Sequence, residues 1–381
     1  MSARARGRPS DVRSLDYPVL LALAALDAAG YSLIAPIVPE ISRTTSAGPA
    51  LIGVLVAMFP VGMILIGFPL AGRMIQRRGP ERVLRGALVL VAVGCVGFLV
   101  WHGLFAYMAA RFLMGVGSGG LWMGLTFATL ERWPDQAYVC MSRIFAAYSI
   151  GGLLGPALGG IGGVRGPFLA YLVIVGATAV PALLIRPPAE RHAFHSDPAA
   201  LRRPGFRLAS ASILFTVLAL GITEGVLPLH FGSRLTQAEI AVVYVGVSLV
   251  VAAAAAAAGR FRPLSAVAVA IVTIVAGIAL AGATHAIGLW IVGLAVAGAG
   301  VGAGNTGSIG LLLEAVPAAR IMTAMVVWSQ LGIVGYLVGP LAGGAMAEAF
   351  GFASIGLVPA FAAIGLVVGW LRVRRALPRR S

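Results

Sequence analysis

The 381 residues contain no lysine, so all 28 basic residues are arginine. Charge of either sign is scarce, at 11% of the chain, where a soluble domain carries about a quarter. That shortage excludes an ordinary water-soluble globule. With 59% hydrophobic residues and a mean hydropathy of +0.96, the composition is that of an integral membrane protein. The missing lysine, beside abundant Ala and Gly, follows most simply from a GC-rich coding bias. A net charge of +15 points to nucleic acid only when it gathers on a soluble face. Here it is spread over short loops, and no nucleic-acid partner is expected.

Cysteine is also rare. Cys95 and Cys140 have no metal-ligand spacing and form no disulfide framework, so they read as packing residues. The chain has no H-E-x-x-H, no G-x-S-x-G and no G-x-x-x-x-G-K-[ST], which argues against an enzyme and against an ATP-driven pump. Gly115, Gly117 and Gly120 satisfy G-x-G-x-x-G, but no strand precedes them and the run is apolar; close helix packing accounts for them better. His192, His195 and Asp197 lie in a polar loop and read as solvated residues. No cofactor and no metal are expected.

What is present is a series of apolar runs. Cutting at charges and turns gives twelve segments: 17–40, 48–75, 82–101, 104–130, 138–162, 166–185, 208–231, 237–258, 264–284, 287–313, 321–347 and 351–371. Each is long enough to cross a hydrocarbon core, which takes about 20 helical residues. The first is read as a retained helix rather than a signal peptide, since it spans a whole bilayer and shows no small-residue cleavage site. Arg43, Arg165 and Arg234 fall on one side and Arg111 inside a segment, while the other arginines fall on the opposite side. By the positive-inside rule both termini are cytoplasmic, in a multi-pass protein of a bacterial plasma or inner membrane. The basic, Pro-rich stretch 186–207 is the linker between an N-terminal six-helix bundle, 1–185, and a C-terminal one, 208–381.

The halves repeat each other. Ser149–Gly160 reads SIGGLLGPALGG and returns as GIVGYLVGPLAGG at Gly332–Gly344, with Gly155-Pro156 mapping onto Gly339-Pro340. Gly115, Gly117 and Gly119 reappear as Gly298, Gly300 and Gly302. Gly and Pro inside an apolar run are better tolerated in a membrane bundle than in water.

Asp27, Arg111 and Glu224 are charges set well inside apolar segments. An intramembrane charge costs about 2.5–3.5 kcal/mol on insertion scales and is a functional hypothesis by default. Asp27 reads as a proton or cation-coupling group, with a helix-capping Asp as the alternative. Glu224 lies four residues before Pro228 and does not fall on the Asp27 position when the halves are aligned by their prolines. It is a second site, for a proton or for a substrate cation. Tyr31, Met58, Trp122, Asn305, Trp328 and Gln330 are candidates to line a substrate cavity.

Several of these stretches resemble signatures of the major facilitator superfamily. Gly72, Arg77, Gly79 and Arg82 match its motif A loop, G-x-x-x-D-R-x-G-R-R, with Gln76 in place of the Asp. In the family that Asp helps latch the halves on the cytoplasmic side, so the resemblance implies a weaker latch or one resting on Glu81 or Glu131. Arg111 and Gly115 resemble motif B, whose Arg is linked to proton transfer. Gly155, Pro156, Gly339 and Pro340 lie in copies resembling motif C, typical of the drug:proton antiporter branch. The resemblance covers residues 15–375 and implies an all-α membrane protein, twelve helices in two pseudo-symmetric bundles with alternating access. It further implies a monomeric proton-coupled antiporter exporting small lipophilic compounds or drugs, cations among them, with Asp27, Arg111 and Glu224 as coupling residues. The alternatives are a proton-coupled carrier of one metabolite, such as a sugar or an amino acid, and, more remotely, an integral-membrane enzyme or a sensor.

Overall fold

The computed structural model describes residues 16–133, 136–185, 203–317 and 321–376; most of the linker expected at 186–207, with His192, His195 and Asp197, lies outside them. The described residues form helices and no strand. We number twelve: α1 Asp16–Thr45, α2 Pro49–Arg78, α3 Pro80–Val100, α4 Leu104–Arg132, α5 Ala137–Gly159, α6 Arg165–Leu183, α7 Pro204–Phe231, α8 Gln237–Ala258, α9 Pro263–Ala283, α10 Ile287–Ala315, α11 Ile321–Phe350 and α12 Leu357–Ala376. Eleven contain stretches long and apolar enough to cross a membrane. The remaining one, α5, is 23 residues long.

Proline sets many boundaries. α2, α3, α7 and α9 each open on Pro, whose missing N–H is an orphan at a helix start anyway. Interior prolines perturb instead. α1 breaks after Ser32 and passes through a tight turn, Ala35–Ile37, beside Pro36 and Pro39. In α2, Pro60 is followed by a wide-turn segment, Met63–Gly67, since Pro cannot donate to the ladder. α1 runs past the expected 40 to Thr45, with Arg43 pairing with Glu40 across its last turn at 2.7 Å. α12 starts later than the expected 351, after Gly351 turns the chain at φ 78° and Phe352–Ser354 makes a short 3-10 turn.

Lipid is as apolar as leucine, so these helices are held by close contact of small residues rather than by the hydrophobic effect. The contacts repeat between the halves. Gly151, Gly155 and Gly159 of α5 lie on the Ala25, Ala29 and Leu33 carbonyls of α1. Gly335 and Gly339 of α11 lie on the Leu214 and Leu218 carbonyls of α7, and Gly343 against Ile222. Likewise Gly117 meets Val91 of α3 where Gly300 meets Ile274 of α9, and Gly94 meets Met114 where Gly277 meets Ala297. The buried side chains form two cores. One runs from Tyr17 to Ile185 and takes in Tyr336; the other runs from Phe206 to Leu366 and takes in Ala35. α2 packs along α11 and α5 along α8, and these pairs join the halves.

Candidate functional site

We call the end where α1 begins and α12 finishes the terminal face, and the other the distal face. At the distal face the halves are tied by side chains that cap helix ends across the junction. The Glu348 carboxylate of α11 accepts from the Ala50 N–H at the start of α2, at 2.8 Å. The Gln237 carboxamide, opening α8, donates to the carbonyls of Gly159 (2.6 Å) and Gly163 (3.0 Å) and accepts from the Gly163 N–H (2.9 Å). Glycine permits the approach: a Cβ at Gly344 would strike the Pro49 carbonyl and one at Gly160 the Ala241 methyl.

Below this tie lies the polar level. Asp27 is 3% exposed and stands beside Ser118 of α4. Arg111, fully buried, donates to the Gly30 carbonyl at 2.9 Å and the Tyr31 carbonyl at 2.8 Å. Those are carbonyls next to the break in α1, where the helix leaves acceptors unpaired. The guanidinium also lies over the Phe59 ring, 4.4 Å from its centre, and its Nε has no partner among the described residues. The desolvated charge is thus met by backbone dipoles and a ring rather than by a carboxylate. Among the described residues the ion pairs are Arg43–Glu40, Arg132–Asp16 and Arg132–Glu81; none joins Arg111 to Asp27 or Glu224.

Glu224, in α7, accepts from the Tyr336 hydroxyl of α11 at 3.3 Å. Tyr336 packs on Tyr31 of the other half, ring centres 4.1 Å apart, and Tyr31 packs edge-on to Phe59. One connected set therefore runs from Glu224 through Tyr336 and Tyr31 to Arg111. Around it, Tyr171 donates to the Leu26 carbonyl at 3.0 Å and Tyr244 to the Thr223 carbonyl. Asp27 and Glu224 are not counterparts: the matched glycine contacts set Asp27 against Thr216 and Glu224 against Ala35.

Toward the terminal face the halves part around a cleft. One half lines it with Phe68, Trp122, Met123, Thr126, Met141 and Phe145, the other with Met325, Val326, Ser329 and Gln330. Its enclosed part has room for about one water, ≈ 20 Å³, and its empty space out to the open mouth is ≈ 430 Å³. Trp122 packs edge-on against Tyr148 and Phe145, and Phe145 faces Trp328 across the junction at 6.5 Å.

Of the residues expected to line a cavity, Trp122 and Gln330 do line this cleft, and Tyr31 belongs to the polar level above it. Trp328 is buried, its indole donating to Ser308 at 2.7 Å; Met58 is half-buried against the first core, and Asn305 is half-buried on α10. In the Arg-rich turn Gln76, Arg77 and Arg82 are exposed, Gly72 has open space around it and Gly79 reverses the chain at φ 87°. Glu81 is buried and accepts from Arg132 at 2.9 Å, joining α3 to α4. Gly155 faces α1 and Gly339 faces α7, each within its own half, whereas Pro340 lays its ring against Gly221 and Gly225 of its own half and its carbonyl against Gly53 of the other. Ser118, Tyr148, Tyr336, Gln237 and Glu348 were not anticipated. Tyr336 had one signal: it is a place where the second motif copy departs from the first, a tyrosine standing where the first has Gly152.

Comparison with known proteins follows the same lines. A profile described as "Major Facilitator Superfamily" matches residues 20–286. An uncharacterized MFS-type transporter of Yersinia pestis (strain Pestoides F) is 27% identical over 179 residues, 45% of this chain. The match spans about half of that relative's length, 46%. Among solved structures, a bacterial homologue of the human lysosomal transporter Spinster, inward-facing and unoccupied, superposes with a TM-score of 0.80 at 16% identity, covering 97% of this chain and 98% of that one. The nucleoside transporter NupG superposes with a TM-score of 0.73 at 13% identity, covering 93% and 99%. The chain belongs to the major facilitator superfamily.

Proposed function

We propose that this protein is a proton-coupled efflux carrier that exports small lipophilic compounds across a bacterial cytoplasmic membrane by alternating access. Asp27, Arg111 and Glu224 are its coupling residues, both termini are cytoplasmic, and residues 1–185 and 208–381 act as two rocking bundles in a monomer. With that orientation the distal tie is the closed outer gate and the cleft is the cytoplasmic entrance.

The observation that carries the reading is Asp27: an enclosed carboxyl in the same helix as the break held by Arg111, at the level where the halves meet. A buried acid that gains and loses a proton changes the charge that each facing state must bury, so proton binding shifts the balance between them. The motif C resemblance supplies the export direction. The test is transport in everted vesicles under an imposed pH gradient. Asp27→Asn is expected to abolish gradient-driven movement while the protein stays folded and inserted. Full gradient-driven transport by that variant would remove Asp27 from the coupling step, and gradient-driven movement of sugars or amino acids alone would favour a single-metabolite carrier.

A further inference from the structure

The carrier reading leaves the cargo undefined, and the chemistry of the cleft bears on it. None of the lining side chains is charged; three are methionines and three are aromatic. The hydroxyl protons of Thr126 and Ser329 are committed to their own helices, on the Trp122 carbonyl at 2.8 Å and the Val326 carbonyl at 2.9 Å. Two lining donors have no partner among the described residues: the Trp122 indole Nε1–H and the Gln330 carboxamide N–H, one from each half. The ionisable groups stand elsewhere. Ser118, beside Asp27, is one helical turn of α4 beyond Trp122, about 6 Å along the axis, and Arg111 is about 10 Å further toward the distal face. The contact of Trp122 with Tyr148, ring centres 5.7 Å apart, puts an aromatic layer on the cleft side of that level.

We infer that the cleft recognises an uncharged lipophilic compound bearing a hydrogen-bond acceptor, held between the Trp122 Nε1–H and the Gln330 carboxamide, at a place separate from the Asp27 carboxyl. This rests on the carrier reading above. A permanent ion of either sign would give up its hydration for a wall without a countercharge, a transfer that apolar surroundings penalise heavily. A neutral acceptor loses little and gains two donors, while the methionines adapt to its shape. Because the cargo does not touch the carboxyl, proton and cargo need not compete for one group.

The test uses three probes of similar bulk on the full chain in lipid nanodiscs: triphenylphosphine oxide, which is neutral with a strong acceptor, triphenylmethane, which is neutral without one, and the tetraphenylphosphonium cation. Equilibrium binding is expected to favour the oxide about 10-fold or more over the other two. Gln330→Leu and Trp122→Phe should each weaken the oxide about 5- to 10-fold and leave triphenylmethane nearly unchanged. Gln330→Glu should reverse the preference toward the phosphonium, a gain that misfolding cannot produce. Equal or tighter binding of the phosphonium by the natural chain, no binding of the oxide, or an unchanged oxide affinity in Gln330→Leu overturns the inference. Gradient-driven flux of each probe in proteoliposomes is read separately. Selective oxide binding without flux sinks the carrier reading alone, whereas gradient-driven flux of the phosphonium sinks the recognition alone.

Discussion

The two halves share their backbone contacts and differ in their polar chemistry. Gly155 on the Ala29 carbonyl has its counterpart in Gly339 on the Leu218 carbonyl. The charges have none: Thr216 answers Asp27, Ala35 answers Glu224, and Leu294 stands where the repeat would place Arg111. Duplicated glycines are a scaffold that either half needs in order to pack. Charges present on one side only are chemistry that the scaffold does not require, which is why they stand out as functional candidates.

The largest effects should fall on the shared part. Gly155→Leu and Gly339→Leu each push a side chain into a row of helix carbonyls that cannot recede, and overpacking of this kind costs about 1–3 kcal/mol or more. Both variants are expected to lose thermal stability and monodispersity to a similar degree, read by size-exclusion profile and melting temperature in detergent. Since each glycine faces its own half, the loss should appear in folding rather than in the exchange of facing states. A stable Gly339→Leu beside an unstable Gly155→Leu would show that the repeat is geometric but not energetic.

An intermediate effect is expected at the distal tie, where the repeat holds in position but not in residue type. Gln237 opens α8 as Pro49 opens α2, and each meets the end of a motif C helix, α5 or α11. The carboxamide spans one junction with three hydrogen bonds, and the Glu348 carboxylate spans the other. At about 1 kcal/mol per bond, Glu348→Ala removes one bond and shifts the balance of facing states about 5-fold, and Gln237→Ala removes three and shifts it by up to about 150-fold. Labelling of an Ala50→Cys residue by a membrane-impermeant thiol reagent should rise accordingly. The native Cys95 and Cys140 are buried and give little background. An unchanged labelling rate in both variants would mean that backbone packing at Gly160 and Gly344 holds the tie without the caps.

Most of the fold could be read from the sequence, because bilayer thickness fixes helix length and prolines mark the ends. Helix starts at Pro49, Pro80, Pro204 and Pro263 lay within a few residues of the expected boundaries. The site was legible only where it violates the apolar background. Asp27, Arg111 and Glu224 announce themselves as charges in a membrane run, yet their mutual arrangement did not follow. Arg111 turns to the carbonyls of a broken helix rather than to an acid, and no local pattern encodes that. Tyr336 and Tyr148 escaped notice because a tyrosine in an apolar run is equally at home in a core, a cavity or a lipid face. Facing is a property of the assembled bundle. One glycine-rich stretch serves both halves: Gly155 lies on α1 of its own half, and Gly160, five residues on, on Ala241 of the other.

The smallest effect is the one that best probes the asymmetric part. Tyr336→Phe deletes a single hydroxyl, the donor to Glu224 at 3.3 Å, and keeps the ring that packs on Tyr31. A hydrogen bond to a buried acid is worth about 1.5–3 kcal/mol when the acid is charged and about 0.5–1.5 when neutral. The variant therefore destabilises the charged form of Glu224 more than the protonated form. If Glu224 cycles its charge during transport, the pH profile of gradient-driven flux should move to higher pH in Tyr336→Phe, by about 0.5–1 unit, with little change in melting temperature. A Glu224→Gln background should erase that displacement, because the amide has no charge to lose. A lower melting temperature with an unmoved pH profile would make the Glu224–Tyr336 contact a packing bond and leave Asp27 as the one acid whose ionisation the mechanism uses.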